Sequence, residues 1–107
     1  MTNKIGKALT ELRDALEKLL GNNLIEVRLF GSRARGDAEP DSDVDIWVLV
    51  KESAIDKDEE IVNTATDVSL KYDLLIIPFV WTPDKMERHR ELNTLLYRNI
   101  MNEGIVL

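Results

Sequence analysis

Seven consecutive residues near the middle of the chain, Val44-Asp45-Ile46-Trp47-Val48-Leu49-Val50, are almost unbroken in apolar character and β-branched at every second position. Such a run reads as a buried central strand, because branched side chains suit a pleated surface and little is left polar for water. The flanking segments supply the neighbours that a buried strand requires. Leu24–Phe30 alternates, with Leu24, Glu26, Arg28 and Phe30 on one face and Ile25, Val27 and Leu29 on the other, the pattern of a half-buried strand. Asp73–Ile77 reads as a third strand, and Pro78 demotes its far end to an edge or an exit.

Three helical patterns separate these strands. From Asn3 to Leu20, Ile5, Ala8, Leu9, Leu12, Ala15, Leu16, Leu19 and Leu20 recur at three- and four-residue steps. Thr2 is a suitable N-cap, and Gly21 a left-handed stop. Ser53–Leu70 predicts a second helix with Ile55, Ile61, Val62, Ala65 and Val68 inward and acidic first turns. Thr82-Pro83-Asp84 is a strong helix start, and this third helix is expected to run to about Asn102 with Met86, Leu92, Leu96 and Ile100 as its inner stripe. Gly104 ends it, and Ile105-Val106-Leu107 can add a short strand. The expected fold class is therefore α/β (α+β): one domain over residues 1–107, with a small mixed β-sheet packed by helices.

Composition narrows the class. A chain of 107 residues supports one core and not two. It has no cysteine, which excludes disulfides and thiolate metal sites and fits a reducing, cytoplasmic setting. No apolar run approaches the roughly 18 residues of a membrane span, and the N-terminus carries no signal-peptide pattern. Twenty acidic against fourteen basic residues give a net charge of −6, which argues against direct nucleic-acid binding. The acidity serves either solvation or a cation site.

The chemistry is concentrated in Gly31–Ile46. Gly31-Ser32 follows the first strand directly, and after ten intervening residues Asp43-Val44-Asp45 opens the next. Two residues apart on a strand, Asp43 and Asp45 project from the same face, about 7 Å apart along the backbone. Carboxylates so placed suit Mg²⁺, which takes one or two carboxylates and completes its shell with water and phosphate oxygens. Two such ions ~4 Å apart can clamp the attacking and leaving oxygens of a phosphoryl displacement. Gly31 lets backbone approach a phosphate, Ser32 offers a hydroxyl, and a helical turn over Ser32–Arg35, stopped by Gly36, exposes free N–H groups. Arg33 or Arg35 can add charge to phosphate oxygens, or pair with the nearby acids. Two adjacent acids cannot surround two metals, so a third is expected from another strand. Asp73, at the start of the third strand, is the candidate; its alternative role is a cap to the preceding helix. With strand one antiparallel to the other two, Gly-Ser and all three acids would meet at one sheet edge, with Ser53–Leu70 as the parallel crossover.

Other motifs carry less. Asp37, Glu39 and Asp41 read as a solvated loop, and the calcium-loop spacing of Asp41, Asp43, Asp45 and Glu52 fails because Ile46 stands where glycine is needed. Arg35-Gly36-Asp37 is a chance adhesion tripeptide. His89 reads as a surface residue, and Trp47 and Trp81 as packing rather than a base-stacking platform. Neither a P-loop nor a dinucleotide fingerprint is present.

Strand, Gly-Ser, ten residues and Asp-x-Asp together resemble the polymerase-β-like nucleotidyltransferase superfamily. Gly31-Ser32-Arg33-Ala34-Arg35-Gly36 and Ser42-Asp43-Val44-Asp45 are similar to its minimal members, and the element order matches along essentially the whole chain. The resemblance implies that Asp43, Asp45 and Asp73 bind Mg²⁺, two ions in all, and activate an incoming hydroxyl, while Gly31, Ser32, Arg33 and Arg35 bind ATP. Minimal members are commonly paired with a HEPN-type RNase toxin, onto a tyrosine of which they transfer AMP as antitoxins. The resemblance thus implies a protein adenylyltransferase in a homo- or hetero-oligomer. The rival expectations are an antitoxin that neutralises by binding alone, and adenylylation of a small molecule such as an aminoglycoside, or of a nucleic-acid 3′ end, with a partner subunit's help.

Overall fold

The structure is a computed structural model and describes residues 3–107. The expected cap Thr2 lies outside them. The elements are helix α1 (Asn3–Leu20), strand β1 (Leu24–Phe30), the single turn α2 (Ser32–Arg35), strand β2 (Val44–Val50), helix α3 (Asp58–Tyr72), strand β3 (Ile76–Trp81), helices α4 (Pro83–Leu92) and α5 (Leu95–Glu103), and the short strand β4 (Ile105–Val106). Short 3₁₀ segments at Gly21–Asn23 and Glu52–Lys57 join α1 to β1 and lead into α3. The strands form a mixed sheet in the order β3-β2-β1-β4. β1 runs antiparallel to β2 and β4, and β2 runs parallel to β3, with α3 as the crossover. No described helix is long and apolar enough to cross a membrane.

Alternation along β2 divides the molecule into two layers of packing. Val44, Ile46, Val48 and Val50 point to one face, with Val27 and Leu29 of β1 and Ile76 of β3, and are covered by Ile5, Leu9, Leu12 and Leu16 of α1 and Ile61, Ala65 and Val68 of α3. Trp47 and Leu49 point to the other face, where Phe30, Trp81 and Ile100 join them beneath α4 and α5. Trp47 and Trp81 meet edge to face at 5.9 Å, as do Phe30 and Phe79 at 5.2 Å. Both tryptophans are buried, in the packing role that their apolar surroundings predict.

Three local expectations are corrected. Ile55 and Val62 are exposed, because a 3₁₀ segment occupies Glu52–Lys57 and α3 begins only at Asp58, resetting the helical phase. The long helix expected after Thr82 is broken. Asn93 takes a left-handed conformation (φ 50°) that ends α4, and the Thr94 hydroxyl accepts the Tyr97 amide (3.1 Å) to start α5. Leu92 is consequently 77% exposed rather than part of an inner stripe. The third strand also starts later, at Ile76, and continues through Pro78, which β3 tolerates because it is an edge strand. Ser69 fixes that start from within α3: its buried hydroxyl donates to the Ala65 carbonyl (2.7 Å) and accepts the Ile76 amide (3.1 Å).

Candidate active site

The end of β1 and the beginning of β2 lie side by side, so the Gly-Ser turn and the Asp-x-Asp pair meet without any long-range adjustment. In the antiparallel register Phe30 stands opposite Asp45, and Gly31 follows immediately. Gly31 has φ 77° and ψ −158°, a conformation that side-chain-bearing residues avoid. It is also packed against the acid: a Cβ there would lie 2.5 Å from Asp45 Oδ2. Two independent constraints, backbone dihedral and close approach, therefore require glycine at this position.

The chain then makes the one helical turn expected of Ser32–Arg35. Gly36 caps it in a left-handed conformation, and its amide donates to the Ser32 carbonyl (2.9 Å). The turn's hydrogen bonds use the amides of Ala34, Arg35 and Gly36; those of Ser32 and Arg33, ahead of them, are the usual unpaired donors of a helix start.

The two arginines of the turn have different jobs. Arg33 reaches back beneath the Gly36–Ser42 loop, where Nη2 donates to the carbonyls of Pro40 (3.2 Å) and Ser42 (2.9 Å). It thereby holds the segment that delivers Asp43, and it lines a cleft of about 440 Å³ with Lys4, Asp41 and Asp73. The structure thus places the Arg33 guanidinium on the loop rather than among the acids of β2. Arg35 donates to Asp37 (3.2 Å) and to Glu103 at the end of α5 (3.0 Å), the acid pairing that was the alternative to phosphate contact. Its positive charge also favours the ionised form of Asp45.

Asp45, at the start of β2, and Asp43, just ahead of it, lie on the face of Trp47 and Leu49. Burial pushes the Asp45 carboxyl above its ordinary value, and the neighbouring charge of Asp43 pushes it further; Arg35 acts in the opposite sense. A partly buried carboxylate beside an exposed one of the same charge is what a divalent cation relieves. Two hard oxygen donors on one face suit Mg²⁺, so the residues present fit the metal that the resemblance implies.

Asp73 does not join them. It ends α3 in a left-handed conformation (φ 52°), three residues before β3 begins. Its carbonyl accepts a hydrogen bond from Lys4 Nζ (3.3 Å). The residue beside Asp45 on the third strand is Ile77. Among the described residues no three of the His, Asp and Glu side chains lie close enough to hold a metal ion together.

Sequence reasoning also missed His89. Its ring stacks on Trp81 at 4.1 Å, and Nδ1 is 2.8 Å from the Thr94 hydroxyl. Burial, with Lys85 and Arg88 nearby, lowers its pKa below the ordinary histidine value. The eight-residue spacing from Trp81 across a Thr-Pro helix start was the available signal.

Comparison with known proteins agrees with this geometry. The nucleotidyltransferase domain family model matches residues 9–107. A Methanocaldococcus jannaschii protein named "Putative protein adenylyltransferase MJ0141" is 40% identical over 79 residues, spanning 73% of this chain and 80% of its own. A second from the same organism, "Putative protein adenylyltransferase MJ0604", is 32% identical over 101 residues, 94% of this chain and 95% of its own. A solved structure described as a putative minimal nucleotidyltransferase superposes with TM-score 0.59 at 25% identity, covering 94% of each chain. A chain from a crystal structure of a toxin-antitoxin with AMP-PNP shares the fold (TM-score 0.59, 19% identity, 98% of this chain and 72% of that one). The Gly-Ser turn packed against paired strand carboxylates is thus found in a chain that belongs to the nucleotidyltransferase domain family and is a nucleotidyltransferase enzyme.

Proposed function

We propose that the chain is a Mg²⁺-dependent protein adenylyltransferase that moves AMP from ATP to a hydroxyl, a tyrosine, of a partner HEPN-type toxin, and so acts as its antitoxin. The observation that carries this reading is the contact of Gly31 with Asp45, which puts a turn suited to phosphate against carboxylates suited to a cation. Two relatives named for protein adenylyltransfer, and a fold shared with a toxin-antitoxin structure that holds an ATP analogue, support the acceptor class.

The Ser32 hydroxyl and the amides of Ser32 and Arg33 hold phosphate oxygens at the mouth of the turn. Asp43 and Asp45 would hold Mg²⁺, which would supply polarisation of phosphate oxygens and offset the charge that builds up as pyrophosphate leaves. Arg33 keeps the loop ahead of Asp43 in place through the Pro40 and Ser42 carbonyls. In the transfer the acceptor hydroxyl loses its proton to solvent as its oxygen bonds to the α-phosphorus, and the bond to the α–β bridging oxygen breaks, releasing pyrophosphate.

The test is incubation with α-labelled ATP and Mg²⁺ alongside a HEPN-type protein, an aminoglycoside and an RNA 3′ end. Label on a tyrosine of the protein, with loss of its RNase activity, is the expected result. Label on the small molecule or the RNA overturns the acceptor. Protection of the cell without label on the protein favours neutralisation by binding alone.

A further inference from the structure

The sheet places an aliphatic side chain beside Asp45 where a second cation would need an anion. β2 and β3 are parallel and in register, with Val44 opposite Ile76, Asp45 opposite Ile77 and Trp47 opposite Phe79. Alternation then puts Ile77 on the same face as Asp45, one strand spacing (~4.8 Å) away. On Asp45's other side is Phe30, so apolar residues flank the acid on both neighbouring strands. Without phosphate oxygens to complete the shells, two carboxylates are few anionic donors for a pair of divalent ions held ~4 Å apart. Asp73, the remaining candidate, is turned into the cap of α3, and no three acidic or histidine side chains converge among the described residues.

We infer that this chain's own residues hold one divalent cation, through Asp43 and Asp45, and that Ile77 closes the place of a second. The inference rests on the reading of the site as a metal-dependent transferase. It means that any further cation enters as the counterion of the nucleoside triphosphate, held by phosphate oxygens rather than by the protein. Ile77 is then the determinant of metal count at this site.

Mn²⁺ titrated into the full chain without nucleotide, followed by electron paramagnetic resonance, tests the inference. The expected result is one ion per chain with the spectrum of an isolated Mn²⁺, lost in the Asp43→Asn, Asp45→Asn protein. Ile77→Asp should admit a second ion per chain and replace that spectrum with the broadened one of a coupled pair, whereas Ile77→Asn should remain at one. Two ions on the unaltered chain overturn the inference while leaving the transferase reading intact, and that count needs no variant to fold. A folded Ile77→Asp protein that still binds a single ion also overturns it. No ion on the unaltered chain contradicts the transferase reading itself.

Discussion

The two faces of the sheet use the same strands for different ends. Toward α1 and α3, β2 presents Val44, Ile46, Val48 and Val50, all fully buried, and the covering helices extend along the whole strand. Toward α4 and α5, the same strand presents Trp47 and Leu49 to an aromatic cluster and then, at its N-terminal end, Asp45. One residue of register separates a side chain that stabilises the fold from one to which the proposed function assigns chemistry. The acids can therefore change without touching the aliphatic layer, and the aliphatic layer can be weakened without moving the acids.

The largest effect that sharpens this division is expected on the aliphatic face. Leu16→Ala, in a fully buried position of α1, should cost about 2–5 kcal/mol in denaturant unfolding. Transfer per folded molecule should stay unchanged. Gly31→Ala lies on the boundary between the two functions, since it strains the backbone and drives a methyl onto Asp45. A stability loss of roughly 1–3 kcal/mol is expected from the dihedral, accompanied here by loss of transfer, which the aliphatic variant must not show.

Arg33→Met keeps the stem and removes the donors to Pro40 and Ser42. Hydrogen exchange should rise in Gly36–Ser42 while α1 and β1 stay protected, by an amount equivalent to about 1–3 kcal/mol. A weaker affinity for ATP with an unchanged loop would instead place the guanidinium on phosphate. The smallest effect is at His89. Its folded pKa lies below its unfolded value, so the unfolded chain binds more protons in the interval between them. Stability from this residue is complete above about pH 6.5 and is lost as pH falls through the folded pKa. The fall in melting temperature between about pH 7 and pH 5 should be steeper for the unaltered protein than for His89→Gln.

How far the sequence alone reached follows from where each signal resides. The β1 and β2 boundaries, the turn at Ser32–Arg35 and its Gly36 stop are local patterns of alternation and glycine, and all were legible. So was the parallel crossover between β2 and β3. The start of β3 was not, because Leu74 and Leu75 extend the apolar run upstream, and what excludes them is the bond from Ile76 to Ser69, seven residues earlier. The same error made Asp73 look like a strand acid when it is a helix cap. The break at Asn93-Thr94 carried a legible signal, a left-handed residue followed by an N-cap, that the continuing apolar spacing of Leu92 and Leu96 concealed. Arg33's engagement with its own loop depends on a reversal of chain direction that no spacing rule describes.

The central claim is that Asp43 and Asp45 serve transfer and not folding. Its most direct test compares the unaltered chain with the Asp43→Asn, Asp45→Asn protein, measuring AMP transfer to the proposed acceptor and thermal unfolding on the same samples. Removing these charges should lower transfer by at least about 100-fold. The melting temperature should hold or rise, because burial and mutual repulsion already disfavour the ionised Asp45. Retained transfer, or a double variant that loses its fold along with its activity, would contradict the account.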